Sequence, residues 1–194
     1  MKHPLDFESR NLNLLVPKFK NLVENVITDA KKEKITLVPF FTLRGPLTQA
    51  RFWTRGRSNA DIQQMINNMH RLGCKNIASV LQTALNERGK KIPRGEIIVT
   101  NALPGQSWHM FGEAVDMYVE GPKKKPIWDS SHKGYEVYTR IAESYGLTSG
   151  AKFKRLREPV HVQLRSGPPP QSFFELDKEL ALRFNFESSS SANS

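Results

Sequence analysis

An α+β fold with a small antiparallel sheet packed on helices is expected from three features of this 194-residue chain. Apolar residues recur at helical spacing through the first half, period-two alternation is concentrated in the second, and no regular alternation of strand and helix joins them. With 38% hydrophobic residues the chain can build one ordinary core and has little room for a second complete domain. A single domain over residues 1–186 is therefore expected.

Phe19, Leu22, Val23, Val26, Ile27 and Ala30 predict an amphipathic helix over roughly residues 17–32, ending in Lys31-Lys32-Glu33-Lys34. Ile35 to Leu43 reads as a strand, and Pro39 within it favours an edge position or a bulge, because proline donates no ladder hydrogen bond. A short helix follows at Leu47 to Arg55. Ile62, Met65, Ile66 and Met69 mark a helix stopping at Gly73, and Asn76 is a candidate cap for another that carries Ile77, Val80, Leu81, Ala84 and Leu85 to Gly89. These two should form a helical hairpin whose Met and Ile stripes are core. Ile97 to Thr100 is β-rich, Leu103-Pro104-Gly105 is turn material, and Glu113 to Val119 alternates. Val137, Tyr138, Ile141, Ala142 and Tyr145 predict a helix closed by Gly146, and Pro159 to Arg165 alternates again. After Gly167-Pro168-Pro169-Pro170 comes a C-terminal helix over 171–186, with Ser172 and Glu175 in capping-box spacing. The Ser-rich tail 187–194 is expected to be disordered.

A lone cysteine, Cys74, excludes an intrachain disulfide and a structural zinc site built from several cysteines. Lys and Arg number 29 against 19 Asp and Glu, a formal net charge of +10, which points to an anionic polymer as partner. Charge alone does not separate wall polymers from nucleic acid, since both attract a basic surface by the same electrostatics. Residues 1–30 lack a secretory signal pattern, and Thr36, Pro39 and Thr42 interrupt the apolar stretch after Ile35, so no membrane span and no classical export address are expected.

The chemistry lies in the second half. A strand over Glu113 to Val119 puts Val115, Met117 and Val119 on one face and Ala114, Asp116 and Tyr118 on the other. By the same rule Val160, Val162 and Leu164 face the core while His161, Gln163 and Arg165 face away. If both strands share a sheet, Asp116 and His161 project into one cleft. His109 stands seven residues before Asp116, and Gly112 between them permits the tight bend that a common metal ion would need. Two His and one Asp leave a fourth tetrahedral position for water, the arrangement of a catalytic zinc site, where that water's pKa falls toward about 7. Imidazole and carboxylate also suit other divalent ions. Glu158, in the loop bent by Pro159, is placed to act as general base. Singly, each residue has an ordinary structural or solvated reading, as His3, His70 and His132 do here. Ser107 reads either as a nucleophile beside His109 or as a hydroxyl serving the loop around the metal ligands.

The run Ser107-Trp108-His109-Met110-Phe111-Gly112-Glu113-Ala114-Val115-Asp116 resembles the Ser-x-His-x-x-Gly-x-Ala-x-Asp signature of the D-alanyl-D-alanine carboxypeptidase and dipeptidase group of zinc peptidases. Glu158-Pro159-Val160-His161 is similar to that family's acidic-x-x-His element. The resemblance implies a hedgehog and D-Ala-D-Ala peptidase-like fold, with the zinc cleft on the open face of its sheet. It also implies one Zn²⁺ on His109, Asp116 and His161, and Glu158 as the catalytic acid. Thr42-Leu43-Arg44, with Gln49 and Gly56-Arg57, is similar to the segment where an Arg faces the site. Arg44 is then a candidate to stabilise the oxyanion or hold a substrate carboxylate, the alternative being a surface Arg paired with an acid. Gln49 is a candidate substrate-side or supporting residue.

The lead-in Thr100 to His109 resembles L-alanyl-D-glutamate endopeptidases, including phage endolysins, and implies cleavage of the peptidoglycan stem peptide between L-Ala and D-Glu. Against the most compact members, residues 59–93 look like a helical insertion, Thr148-Ser149-Gly150 replaces an aromatic and glycines, and Glu158 replaces an Asp. Site chemistry thus favours peptidoglycan and anionic wall polymers over nucleic acid. The expected location is the wall, reached from the cytoplasm by holin release if the protein is a phage lysin. A D,D-carboxypeptidase or D-Ala-D-Ala dipeptidase shares the same metal site. A basic binding module without catalysis would have no use for Glu158.

Overall fold

The computed structural model describes residues 4–89 and 97–186; the expected tail and His3 lie outside them. In chain order the elements are α1 (Pro17–Lys32), β1 (Leu37–Phe41), α2 (Pro46–Thr54), α3 (Asn59–Arg71), α4 (Lys75–Asn86), β2 (Ala114–Glu120), β3 (Pro126–Ile127), α5 (Lys133–Ser144), β4 (Thr148–Ser149), β5 (His161–Gln163) and α6 (Phe173–Phe184). The fold class is α+β, as expected. No helix among the described residues is long and apolar enough to cross a membrane.

The chain divides into two compact units, the first from Met1–Glu8, Arg44–Met110 and Pro168–Ser194, the second from Ser9–Leu43 and Phe111–Gly167. The first unit holds α2, α3, α4 and α6. Ile62, Ile66, Met69, Ile77, Leu81 and Ala84 are buried, so the Met and Ile stripes are core. Ser58 and Asp61 form a reciprocal capping box that starts α3.

The cap of α4 differs from expectation. Cys74, not Asn76, precedes the helix, and no side chain of the helix's own approach caps it. Instead Asp177 of α6 accepts from the Ile77 backbone N–H at 2.7 Å and from the Asn76 side chain at 2.8 Å. A carboxylate suits the positive end of the α4 dipole and satisfies an N–H that the helix leaves over. Local spacing could not reveal a cap supplied from 100 residues away. Ile97 to Thr100 likewise forms no strand; Ile97 is 81% exposed and has no ladder partner among the described residues.

The second unit is a five-stranded antiparallel sheet in the order β1-β2-β5-β4, with β3 also pairing β2. β1 lies at the edge, and its register slips between Pro39 and Phe41. Both roles expected of Pro39 are met. Phe19, Val23 and Val26 of α1 and Tyr138, Ile141 and Ala142 of α5 form one buried cluster with Val115, Met117, Val119 and Val162 of the sheet. That packing commits one face of β2 and β5 to the core. It leaves Asp116, His161 and Gln163 on the other.

The α4 cap yields a stability prediction. Asp177→Ala should lower unfolding free energy by about 1–3 kcal/mol, because Ile77 N–H and the Asn76 amide lose a buried charged partner. Denaturant unfolding measures this, and an unchanged midpoint would mean that the cap is idle.

Candidate metal centre

The β2–β5 pairing sets Asp116 directly opposite His161. Directly paired residues of an antiparallel ladder share a face, so the two side chains meet. His161 Nδ1 lies 2.9 Å from Asp116 Oδ1. Both residues are buried, at 6% and 8% exposure, which makes their mutual satisfaction an energetic requirement. The ladder continues past the strand ends: Leu164 N–H donates to Glu113 O at 2.9 Å, and Met117 N–H to Val160 O at 2.8 Å. Arg165 also donates twice to the Glu113 carboxylate, at 2.5 and 3.0 Å.

The other side of the His161 ring is also occupied. Nε2 lies 2.9 Å from Gln163 Oε1, and Phe153 packs against the ring with centroids 5.6 Å apart. Beneath it, Gly150 is a position where side-chain volume is forbidden: a Cβ there would lie 2.6 Å from Glu158 O and 2.9 Å from His161 Cβ. The Glu158 loop closes on Gly150 through Glu158 N–H to Gly150 O at 3.0 Å, and His161 N–H donates to Glu158 O at 2.9 Å. Glu158 is therefore half-buried at the foot of β5.

His109 belongs to a short helical turn, Trp108–Phe111, rather than to an extended approach. Gly112 makes the expected bend after it, at φ +69, and a Cβ there would stand 2.7 Å from Leu14 O. One ligand atom each from His109, Asp116 and His161 lies within 4.8 Å of the others, and all three residues are buried. An ion with bonds of about 2.0–2.2 Å sets tetrahedral ligands about 3.4 Å apart, inside the 4.8 Å that bounds these three atoms. Two imidazoles and a carboxylate fit zinc, so these residues can hold one ion.

No protein-family model and no curated protein matches the chain. Solved structures that resemble it include the following three. The L-Ala D-Glu endopeptidase ChiX of Serratia marcescens is 18% identical over 82% of this chain and 90% of its own, with a TM-score of 0.41. The LD-carboxypeptidase LdcB is 15% identical over 88% of this chain and 68% of its own, with a TM-score of 0.42. The vancomycin-resistance D,D-pentapeptidase VanY from a VanB-type cassette, in complex with Zn(II), is 12% identical over 93% and 90%, with a TM-score of 0.42. Likenesses of this strength carry no functional weight. The chemistry rests on the chain's own residues.

Arg44 is 7% exposed, so it is not a surface Arg. Its guanidinium donates to Gln49 Oε1 at 3.0 Å and stacks 4.7 Å from the Phe52 ring, and Gln49 in turn donates to Ala102 O at 2.8 Å. The Arg44 backbone N–H donates to His109 O at 3.3 Å, which ties Arg44 to the turn that carries the ligand. Ser107 is buried at the start of that turn, its carbonyl accepting from Met110 N–H at 3.0 Å. His132 caps α5 by accepting from Gly134 N–H at 3.1 Å, and His70 is exposed, in keeping with their structural and solvated readings. Sequence reasoning left Gln163 and Gly150 without a role. The signal for Gln163 was present, two residues from His161 on the same strand face; Gly150 was visible only as a departure from family pattern.

Burial lowers the pKa of His161, but the hydrogen bond that Asp116 accepts, its charge, the charge of Glu158 and the contact with Gln163 outweigh it, leaving the imidazole above its ordinary 6.5. A folded pKa above the unfolded one means stability that is complete below pH 6.5 and is lost as pH rises through the raised folded value. Chelator-treated protein should therefore melt at lower temperature as pH climbs through that window, and Asp116→Asn should flatten the dependence. A wild-type profile that is flat above pH 6.5 would contradict the pairing.

Proposed function

We propose that this protein is a zinc-dependent peptidase that hydrolyses the stem peptide of bacterial peptidoglycan, at the bond between L-Ala and D-Glu. The observation that carries the reading is the grouping of His109, Asp116 and His161 within ligand distance, in a chain whose motifs around those residues resemble the zinc peptidases. A zinc ion held by His109, Asp116 and His161 would supply a Lewis acid for the scissile carbonyl and lower the pKa of an attacking water toward about 7.

The chain's own residues do the rest. Glu158, whose charge already bears on His161, takes a proton from the water and returns it to the departing amine as the C–N bond breaks. Arg44, immobilised by Gln49 and Phe52, presents a fixed positive charge to the oxyanion or to a carboxylate of the substrate. Ser107 supports the His109 turn. The net charge of +10 favours residence on anionic wall polymers, as for a lysin released to the wall from the cytoplasm.

Zinc-loaded protein should release peptides with new D-Glu amino termini from purified peptidoglycan, seen by mass spectrometry with amino-terminal analysis, and a chelator should abolish them. Released D-Ala instead would transfer the assignment to a D,D-carboxypeptidase or dipeptidase with the same site. No metal-dependent product on several wall types would leave a binding module. Glu158→Gln should lower kcat by about 10²–10⁴-fold while zinc content stays at the wild-type level; full activity in that variant would exclude Glu158 as the base.

A further inference from the structure

The His161 ring lies between two acceptors. Asp116 Oδ1 is 2.9 Å from Nδ1, and Gln163 Oε1 is 2.9 Å from Nε2. The Gln163 amide cannot be turned over without cost, because its NH₂ group donates to Arg165 O at 2.6 Å and to Gly167 O at 3.1 Å. A reversed amide would set an oxygen against two carbonyl oxygens and an NH₂ against Nε2. Gln163 is 5% exposed, so water does not relieve that conflict. The oxygen therefore faces the ring, and Nε2 must carry a hydrogen to meet it.

A neutral imidazole has one N–H, and here it is claimed at Nε2. In the imidazolium a proton on Nδ1 completes the contact with Asp116; where a divalent cation takes that proton's place, the Nδ1 lone pair meets it beside Asp116. We infer that Gln163 is a positioning residue for the metal site: it fixes His161 as the Nε2–H tautomer and so makes Nδ1 the nitrogen that meets a divalent cation beside Asp116. This rests on the reading of His109, Asp116 and His161 as metal ligands, and adds to it which nitrogen binds and what decides it. The hydrogen bond also makes the imidazole a better donor to the ion, as partners on the far nitrogen of ligating histidines do.

Two substitutions separate this role from simple anchoring of the segment after β5. Gln163→Met removes the acceptor and both donors. Gln163→Glu keeps an acceptor for Nε2–H but cannot hold both carbonyls. Zinc affinity, measured by competition with a chromophoric chelator, should fall tenfold or more in Gln163→Met and stay within about threefold of wild type in Gln163→Glu. Circular dichroism and thermal melting of the zinc-free variants check that both fold. Long-range ¹H–¹⁵N spectra of the zinc-loaded wild type should show His161 protonated at Nε2, with Nδ1 shifted by the metal.

Equal affinity in wild type and Gln163→Met would overturn the inference, as would an Nδ1–H tautomer in the zinc-loaded protein. Equal losses in both variants would reassign Gln163 to anchoring. If wild type takes up no zinc, the metal reading fails and this inference with it. If zinc binds as described and no wall peptide is cut, the peptidase reading fails while the role of Gln163 stands.

Discussion

The pairing of Asp116 with His161 across the β2–β5 ladder is the constraint on which the candidate site depends. A carboxylate and an imidazole at 8% and 6% exposure cannot be left unsatisfied in a protein interior, and the register alone decides whether they find each other. Because side chains alternate along a strand, a slip of one residue would send Asp116 into the cluster of Val115, Met117 and Val162 and turn the valines outward. The apolar packing of α1 and α5 on that cluster therefore specifies the polar face as strictly as the core face. Glu113 and Arg165 reinforce the register at the strand ends, although the Arg165 side chain is 59% exposed and the ion pair is worth little by itself.

Around this pair the chain spends its conformational freedom at two glycines. Gly112 turns the backbone at φ +69 against the Leu14 carbonyl, which lets the His109 turn lead directly into β2. Gly150 admits the Glu158 loop to the back of His161, at distances that any side chain would obstruct. The acid proposed as base and the histidine proposed as ligand are thus held by one short segment, with Glu158 O accepting from His161 N–H. Precision at a reacting centre requires rigid support of this kind, since small displacements cost much of the rate.

The parts of this arrangement that depend on local periodicity were legible in the sequence. Alternation in Glu113 to Val119 and Pro159 to Arg165 gave both strands and the faces of Asp116 and His161, and Pro39 announced an edge with a bulge. Features set by residues distant in the chain were not legible. Asp177 caps α4 from α6, so Asn76 was the wrong cap; Ile97 to Thr100 has strand composition but no partner strand among the described residues. Arg44 was found by motif, whereas its burial against Gln49 and Phe52 depends on α2 presenting both residues to the segment that precedes it. Gln163 was legible as a polar residue of the right face, yet its role depends on the two carbonyls of Arg165 and Gly167 that fix its amide.

The central claim is that three side chains, gathered by a glycine bend and a strand register, form one metal site. Calorimetric titration of chelator-treated protein with zinc, alongside His109→Ala, Asp116→Ala and His161→Ala, tests it most directly. The account predicts one ion per chain in the wild type and a loss of that binding in each of the three variants. Zinc binding unchanged by any one of these substitutions, or a wild type that binds none, would contradict it.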